Sequence, residues 1–95
     1  MSYKLAFKAR ALKAFKKLNP TVREQFKAKL KERLEDPHVP ASRLKGKLMG
    51  RYKIKLRSSG YRLVYEVEDE KITVVVLAVG KRERNEVYNQ AEKEI

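Results

Sequence analysis

Arg51, Lys53, Lys55 and Arg57 occupy every second position of one short stretch, and Arg62 follows a Ser58-Ser59-Gly60 turn. Side chains of a strand alternate between its faces. Cations at this spacing therefore stand in a row on one face, while Tyr52, Ile54 and Leu56 go to the other. Such a row suits phosphate, because ammonium and guanidinium groups supply charge and N–H donors and no acceptor. Other chemistries are poorly represented. There is no cysteine, which removes disulfides and thiolate metal ligands. The single histidine, His38, cannot make a His-based metal site by itself and reads as a surface residue in a proline-flanked loop. Glu68, Asp69 and Glu70 read as turn residues. No metal or other cofactor is expected.

Periodicity supplies the elements that must position this row. Tyr3, Leu5 and Phe7 alternate with Lys4, Ala6 and Lys8, as in a short strand. From Ala9 to Leu18, the residues Ala11, Leu12, Phe15 and Leu18 make one helical stripe. Asn19-Pro20 then gives an N-cap and a proline at the first helical position. The helix that follows spaces Val22, Phe26, Leu30 and Leu34 by four, turns Arg23, Lys27, Lys29, Lys31 and Arg33 outward, and stops at Asp36-Pro37. Residues 36–50 form a loop of the length that often carries function. Three strands follow, from Arg51 to Arg57, Tyr61 to Val67 and Ile72 to Val79. The last is apolar almost throughout, as a strand covered on both faces would be. The tail from Arg82 to Ile95 has a thin stripe of Val87, Ala91 and Ile95. The order β-α-α-β-β-β-α predicts an α+β fold: an antiparallel sheet with the helix hairpin on one face, a short C-terminal helix, and one domain over residues 1–95.

Face matching predicts the register. Pairing the apolar sets of the two hairpin strands puts Leu56 opposite Leu63 and Ile54 opposite Tyr65, with the turn centred on Ser59-Gly60. Arg57 then faces Arg62, Lys55 faces Val64 and Lys53 faces Glu66. Lys53, Lys55, Arg57 and Arg62 share an open face, and like charges directly opposite oppose the pairing. A bound anion would relieve that repulsion. The competing reading is an edge strand that charge protects against aggregation, with Lys53 and Glu66 an ordinary pair. Setting Val67 opposite Ile72 puts Thr73, Val75, Leu77 and Val79 on the face of the cations. The tail helix is the only element left to cover that floor, and its thin stripe predicts a loosely held, displaceable lid. Tyr61 and Tyr65 point into the core.

The whole composition agrees with a polyanion partner. The 95 residues hold 24 Lys and Arg against 12 Asp and Glu, a net charge of +12. Residues 1–50 carry 14 of those cations and 4 of the acids. Such an excess favours nucleic acid, an anionic membrane or an acidic protein. No apolar run is long enough to span a membrane, and the N-terminus lacks the apolar stretch of a signal peptide. A cytoplasmic protein is the expectation.

Two runs are more specific. Arg51-Tyr-Lys-Ile-Lys-Leu-Arg-Ser-Ser-Gly-Tyr-Arg-Leu-Val-Tyr65 and Val79-Gly-Lys-Arg-Glu-Arg-Asn-Glu-Val-Tyr88 closely resemble the RelE family of type II toxin–antitoxin ribonucleases. Arg10-Ala-Leu-Lys13, Thr21-Val-Arg-Glu-Gln25 and Leu44-Lys-Gly46 agree with it, so the resemblance covers nearly the whole chain. It implies a toxin that enters the ribosomal A site and cuts mRNA there without metal, by attack of a ribose 2′-hydroxyl on the adjacent phosphate. Carried over residue by residue, the family's catalytic set falls on Lys53, Lys55, Arg62, Arg82 and Tyr88. The family's loop arginine falls on Lys45, which keeps the charge but loses the bidentate fork. Lys47-Leu-Met-Gly50 also departs from the usual pattern and is one residue longer. Arg51, Arg57, Lys81 and Arg84 are further candidates for RNA contact.

Each implied role has a physical basis. A tyrosine base starts from a reference pKa of about 10, and a cation about 6 Å away contributes roughly 2.8 kcal/mol at an effective dielectric of about 20. Two or three of Lys53, Lys55, Arg62 and Arg82 near Tyr88 would therefore make it competent. Lys53, Lys55 and Arg62 would hold the scissile phosphate as charge develops on it. Arg82 reads as a further phosphate clamp, because guanidinium is a poor acid for the leaving group. The basic helix faces suit the backbone of ribosomal RNA, which they would grip without reading sequence.

Two other readings stand beside this one. A non-catalytic ribosome- or RNA-binding module of the same fold would need the cations but neither Tyr88 nor Arg82. A DNA-binding repressor lacks a helix-turn-helix pattern, and the family meets operator DNA only through its antitoxin. The expected partners are a cognate RelB-like antitoxin, acidic or amphipathic, together with the ribosome, mRNA and ribosomal RNA, and no membrane. The antitoxin is expected to displace the tail helix from the Val75–Leu77 floor or to cover the cations.

Overall fold

A computed structural model describes residues 2–95. Seven regular elements follow in order: β1 (Lys4–Phe7), α1 (Ala9–Lys16), α2 (Pro20–Glu35), β2 (Tyr52–Leu56), β3 (Tyr61–Glu68), β4 (Thr73–Lys81) and α3 (Glu86–Glu92). The α+β class and the element order agree with the sequence. The helix junction forms for the expected reason: the Asn19 side chain accepts from the Thr21 N–H at 2.8 Å, and Pro20 opens α2. Arg23 donates to the carbonyls of Lys16 and Leu18, which caps the end of α1 from the next helix.

The four strands lie in the order β1-β4-β3-β2. The sheet is mixed rather than wholly antiparallel, since β1 pairs with β4 in parallel, Lys4 to Thr73 through Phe7 to Val76. A four-residue strand specifies its own faces but not its partner.

Two apolar clusters lie on either side of the sheet. The larger sits under the helix hairpin and joins Phe15, Val22, Phe26 and Leu30 to Ile54, Leu63, Tyr65, Val74 and Val76. Leu12, placed on the α1 stripe by spacing, is exposed instead. The smaller cluster lies on the other face and joins Val64, Val75, Leu77 and Ala78 to Val87 and Ala91 of α3. Leu48 completes it from a 3₁₀ turn at Gly46–Leu48, so the tail helix is not the sole cover. Ile95 is exposed, because α3 ends at Glu92.

The β3–β4 register also differs from expectation. Glu68 faces Thr73 and Val64 faces Ala78, and between Val64–Ala78 and Tyr65–Val76 the pairing skips Leu77. That bulge turns Leu77 and Ala78 to the tail side in succession and sends Val79 to the hairpin side, opposite to the face the sequence assigned it. In a continuous apolar run nothing in residue type marks the extra residue.

Candidate active site

The β2–β3 hairpin sets the geometry. Tyr52 faces Tyr65, Lys53 faces Val64, Ile54 faces Leu63, Lys55 faces Arg62 and Leu56 faces Tyr61. Every pair is displaced by two residues from the predicted register. A shift of two preserves both faces, so the apolar pattern could not decide between them. The turn does: Arg57 to Gly60 make a four-residue connection that Gly60 closes at φ 74°, its N–H donating to the Leu56 carbonyl at 2.9 Å.

The shift rearranges the charges. Arg57 moves off the strand into the turn, and Lys55 becomes the cation opposite Arg62. Glu66 is carried from Lys53 to Arg51, which donates to it at 3.3 Å. Lys53 therefore has Val64 and no carboxylate opposite. The carbonyl of Lys53 points away from β3, to Arg33 at 3.3 Å. Lys53–Val64 and Lys55–Arg62 are thus non-hydrogen-bonded pairs, the close kind, with Cα atoms about 4.5 Å apart.

The strand that follows completes the cluster. Gly80 faces Arg62, and α3 lies above it, where a Cβ on Gly80 would make ordinary contact with that of Val87 at 3.9 Å. The Arg82 N–H donates to the Gly60 carbonyl at 3.1 Å, which ties the end of β4 to the hairpin turn. Arg84 and Asn85 then adopt left-handed conformations, φ 53° and 58°, and reverse the chain into α3. Two consecutive non-glycine residues in that region store strain, and the result is that α3 folds back over the sheet. Tyr88 is half-buried against the cluster of Val64, Leu77, Ala78, Val87 and Ala91. That cluster includes Val64, the cross-strand neighbour of Lys53.

Electrostatics agree with proximity. Desolvation first, then the charges of Lys55, Arg62 and Arg82, push the Lys53 ammonium below its ordinary pKa. Arg62 Nε is buried without a hydrogen-bond partner among the described residues. An unsatisfied cationic donor beside three other cations is costly and is satisfied by an anion. The cations can therefore hold a phosphodiester, and Tyr88 packs on the apolar cluster that contains Val64, the residue opposite Lys53.

Comparison with known proteins gives the same answer. A family model described as "ParE toxin of type II toxin-antitoxin system, parDE" matches residues 5–86. The chain is 60% identical over 95 residues, 100% of itself and 99% of the relative, to the mRNA interferase toxin RelE of Escherichia coli strain K12. Among solved structures, a free-state mutant of E. coli RelE with two arginines replaced by alanine gives a TM-score of 0.91 at 58% identity, over 100% of this chain and 99% of that one. The RelE chain of the intact E. coli RelBE toxin–antitoxin complex gives 0.83 at 59% identity, over 87% of this chain and 100% of that one. The chain belongs to the RelE/ParE toxin family.

Of the RNA-contact candidates in this RelE-family chain, several stand apart from the cluster. Lys81 faces Tyr61 and lies over its ring at 5.7 Å, on the hairpin side of the sheet, because β4 alternates past its bulge. Arg51 is engaged by Glu66 and by the Met49 carbonyl. Arg57 and Arg84 sit in exposed turns, and Lys45 is exposed ahead of the 3₁₀ turn that Leu48 anchors. His38 is not free: the Asp69 carboxylate accepts from its Nε2 at 2.8 Å, and in the neutral ring Nδ1 accepts from the Tyr52 hydroxyl at 2.9 Å. Sequence reasoning missed Leu48, Gly80 and Arg33. Gly80 alone carried a signal, as a glycine inside an apolar strand where another element approaches.

Proposed function

We propose that this chain is the toxin of a type II toxin–antitoxin system, a single domain over residues 1–95, and a metal-independent endoribonuclease that cuts mRNA in the ribosomal A site of the cytoplasm. The observation that carries this reading is the gathering of Lys53, Lys55, Arg62 and Arg82 on the floor that also seats Tyr88. The mRNA interferase activity named for the 60% identical relative supports it.

In this mechanism the Tyr88 phenolate takes the proton of the ribose 2′-hydroxyl. The 2′-oxygen forms a bond to the adjacent phosphorus, and the bond from phosphorus to the 5′-oxygen breaks. The products are a 2′,3′-cyclic phosphate and a 5′-hydroxyl, whose proton comes from water. Lys53, Lys55 and Arg62 neutralise the charge that builds on the phosphoryl oxygens, and Arg82 clamps the phosphate at the end of β4. Tyr88→Phe keeps the ring that packs on the second apolar cluster and removes the base. Ribosome binding is expected to persist while cleavage falls by about 10²–10⁴, measured by mapping mRNA ends on programmed ribosomes. Undiminished cleavage by this variant removes the proposed base. Binding without cleavage by the unmodified chain favours the non-catalytic module.

The partners follow from the same family membership: a RelB-like antitoxin, the ribosome and its mRNA, with operator DNA reached only through the antitoxin. Among the described residues no helix is long and apolar enough to cross a membrane. The antitoxin's route is displacement of α3, whose buried side chains are only Val87 and Ala91. Hydrogen exchange that leaves α3 as protected in the complex as in the free chain would count against this.

A further inference from the structure

Lys53 has the surroundings of a reactive amine. Alternation places it on one face of β2 with Lys55, and its cross-strand neighbour is Val64, so no carboxylate stands opposite. Glu66, the acid of β3 on that face, is held by Arg51. Lys27 and Lys71, by contrast, have carboxylate partners at 3.2 and 3.6 Å. The Lys53 side chain is half-buried and springs from a fixed backbone. Arg33 donates to the Lys53 carbonyl at 3.3 Å, and its other bonds, to the Tyr65 hydroxyl and Ser42 Oγ, tie that carbonyl to helix and loop. The charged groups that face the ammonium are all cations: Lys55 on its own strand, Arg62 on β3 and Arg82 after β4. Burial first, then these charges, hold its pKa below the ordinary lysine range. More of this amine is therefore uncharged at neutral pH than in an ordinary lysine, and an uncharged amine is a nucleophile.

A seat for an anion adjoins it. Lys55 and Arg62 form the next close pair of the hairpin, and Arg62 Nε is buried without a hydrogen-bond partner among the described residues. Residues two apart on a strand have Cα atoms about 6.5 Å apart, a span that a lysine stem crosses. A reagent with phosphate next to an electrophilic carbon can therefore occupy the seat and meet the Lys53 amine at once. Acyl phosphates are built this way, since a single oxygen joins the phosphorus to the carbonyl carbon. Acyl thioesters on phosphate-bearing carriers fit less well, because their phosphates lie far from the carbonyl.

We propose that Lys53 is a site of N-acylation by acyl phosphates, whose phosphate docks on Lys55 and Arg62 while the carbonyl meets the Lys53 amine. The nitrogen lone pair forms a bond to the carbonyl carbon. The bond from that carbon to the bridging oxygen breaks, and its electron pair leaves with the phosphate, which takes up the proton lost from nitrogen. The products are an Nζ-acyl-lysine and inorganic phosphate. The amide is uncharged and keeps one N–H donor in place of the three of an ammonium, so the cluster loses a cation. The acylation stands apart from the ribonuclease reading; only the loss of cleavage that follows from it rests on that reading.

The full chain is incubated with acetyl phosphate at neutral pH, and peptide mass spectrometry follows acetylation of each lysine with time. Lys53 is expected to react about tenfold faster than the exposed Lys29 and Lys71, the lower end of what a cationic site gains by concentrating an anion. Inorganic phosphate, compared with chloride at equal ionic strength, is expected to slow Lys53 alone. Arg62→Gln is expected to do the same, with thermal melting to verify the fold. The uncharged N-hydroxysuccinimide ester of acetate is expected to show a smaller preference for Lys53 and no sensitivity to phosphate. Acetylation of Lys53 no faster than that of Lys29 and Lys71 overturns the proposal. So does a preference that phosphate leaves unchanged, or one that the uncharged ester reproduces in full. Ribosome-dependent cleavage is expected to fall in step with Lys53 occupancy. Rapid, phosphate-sensitive acetylation of a chain that never cuts mRNA supports the acylation site and overturns the ribonuclease reading.

Discussion

Lys53 stands at the meeting point of two sets of forces. Its ammonium group is crowded by Lys55, Arg62 and Arg82, while its carbonyl is held from behind by Arg33. The backbone anchor keeps the side chain where its charge is least welcome. Lys53→Met preserves the stem of the side chain and removes the charge. It is expected to raise stability by about 0.5 kcal/mol, in the range of a relieved cross-strand repulsion, and to reduce cleavage by at least tenfold. Urea unfolding beside the ribosome assay checks both. A variant that is less stable than the parent refutes the claim that the cluster opposes folding. Arg62 adds to the same tension, because its buried Nε lacks a partner until an anion arrives.

Strain at the ends of elements serves different purposes. Ile72 sits between β3 and β4 at φ 49°, a left-handed conformation that a β-branched side chain tolerates poorly. It is 40% exposed, so its apolar burial returns little. Ile72→Asn is expected to stabilise the fold by about 1 kcal/mol with unchanged cleavage, read from the urea midpoint; a loss of stability would show that the isoleucine packs better than its exposure implies. The left-handed pair Arg84–Asn85 is of another kind, since it aims α3 at the site. Strand alternation made the faces of β2 and β3 legible in the sequence, and with them the shared surface of Lys53, Lys55 and Arg62. The exact pairing was not legible, because Tyr52 can slide from Val67 to Tyr65 without any side chain changing face. Nor was the Leu77 bulge, hidden within an unbroken run of apolar residues. Leu48 lay in a loop whose anchoring depends on α3, an element far along the chain. Tyr88 was legible through family resemblance alone, because a lone tyrosine on a weak stripe looks like any other.

At the scale of the molecule, a polar network joins the loop after α2 to the far end of the sheet. Asp69 accepts from both Tyr3 and His38, and His38 reaches Tyr52. The His38 bond first, then the Tyr3 bond, hold the Asp69 carboxyl below its usual range. A carboxyl depressed in the folded state contributes stability above its unfolded pKa, near 4, and loses it as pH falls through the lower folded value. Asp69→Asn is therefore expected to flatten the acid limb of the stability curve between about pH 4 and pH 2, followed by urea midpoints at each pH. An unchanged acid limb would mean that the network carries no proton-linked stability.

β4 lies between β1 and β3, and the helix carrying Tyr88 comes after it. During synthesis these two elements leave the ribosome after all the others. Until residues 73–92 have emerged, β1 has no partner strand, and the second apolar cluster lacks Leu77, Ala78, Val87 and Ala91 and so cannot seat Tyr88. A partly made chain carries most of the cations but cannot fold around them. The cations therefore gain their tyrosine-bearing helix only after β4 has joined β1 to β3 and α3 has folded back over the sheet.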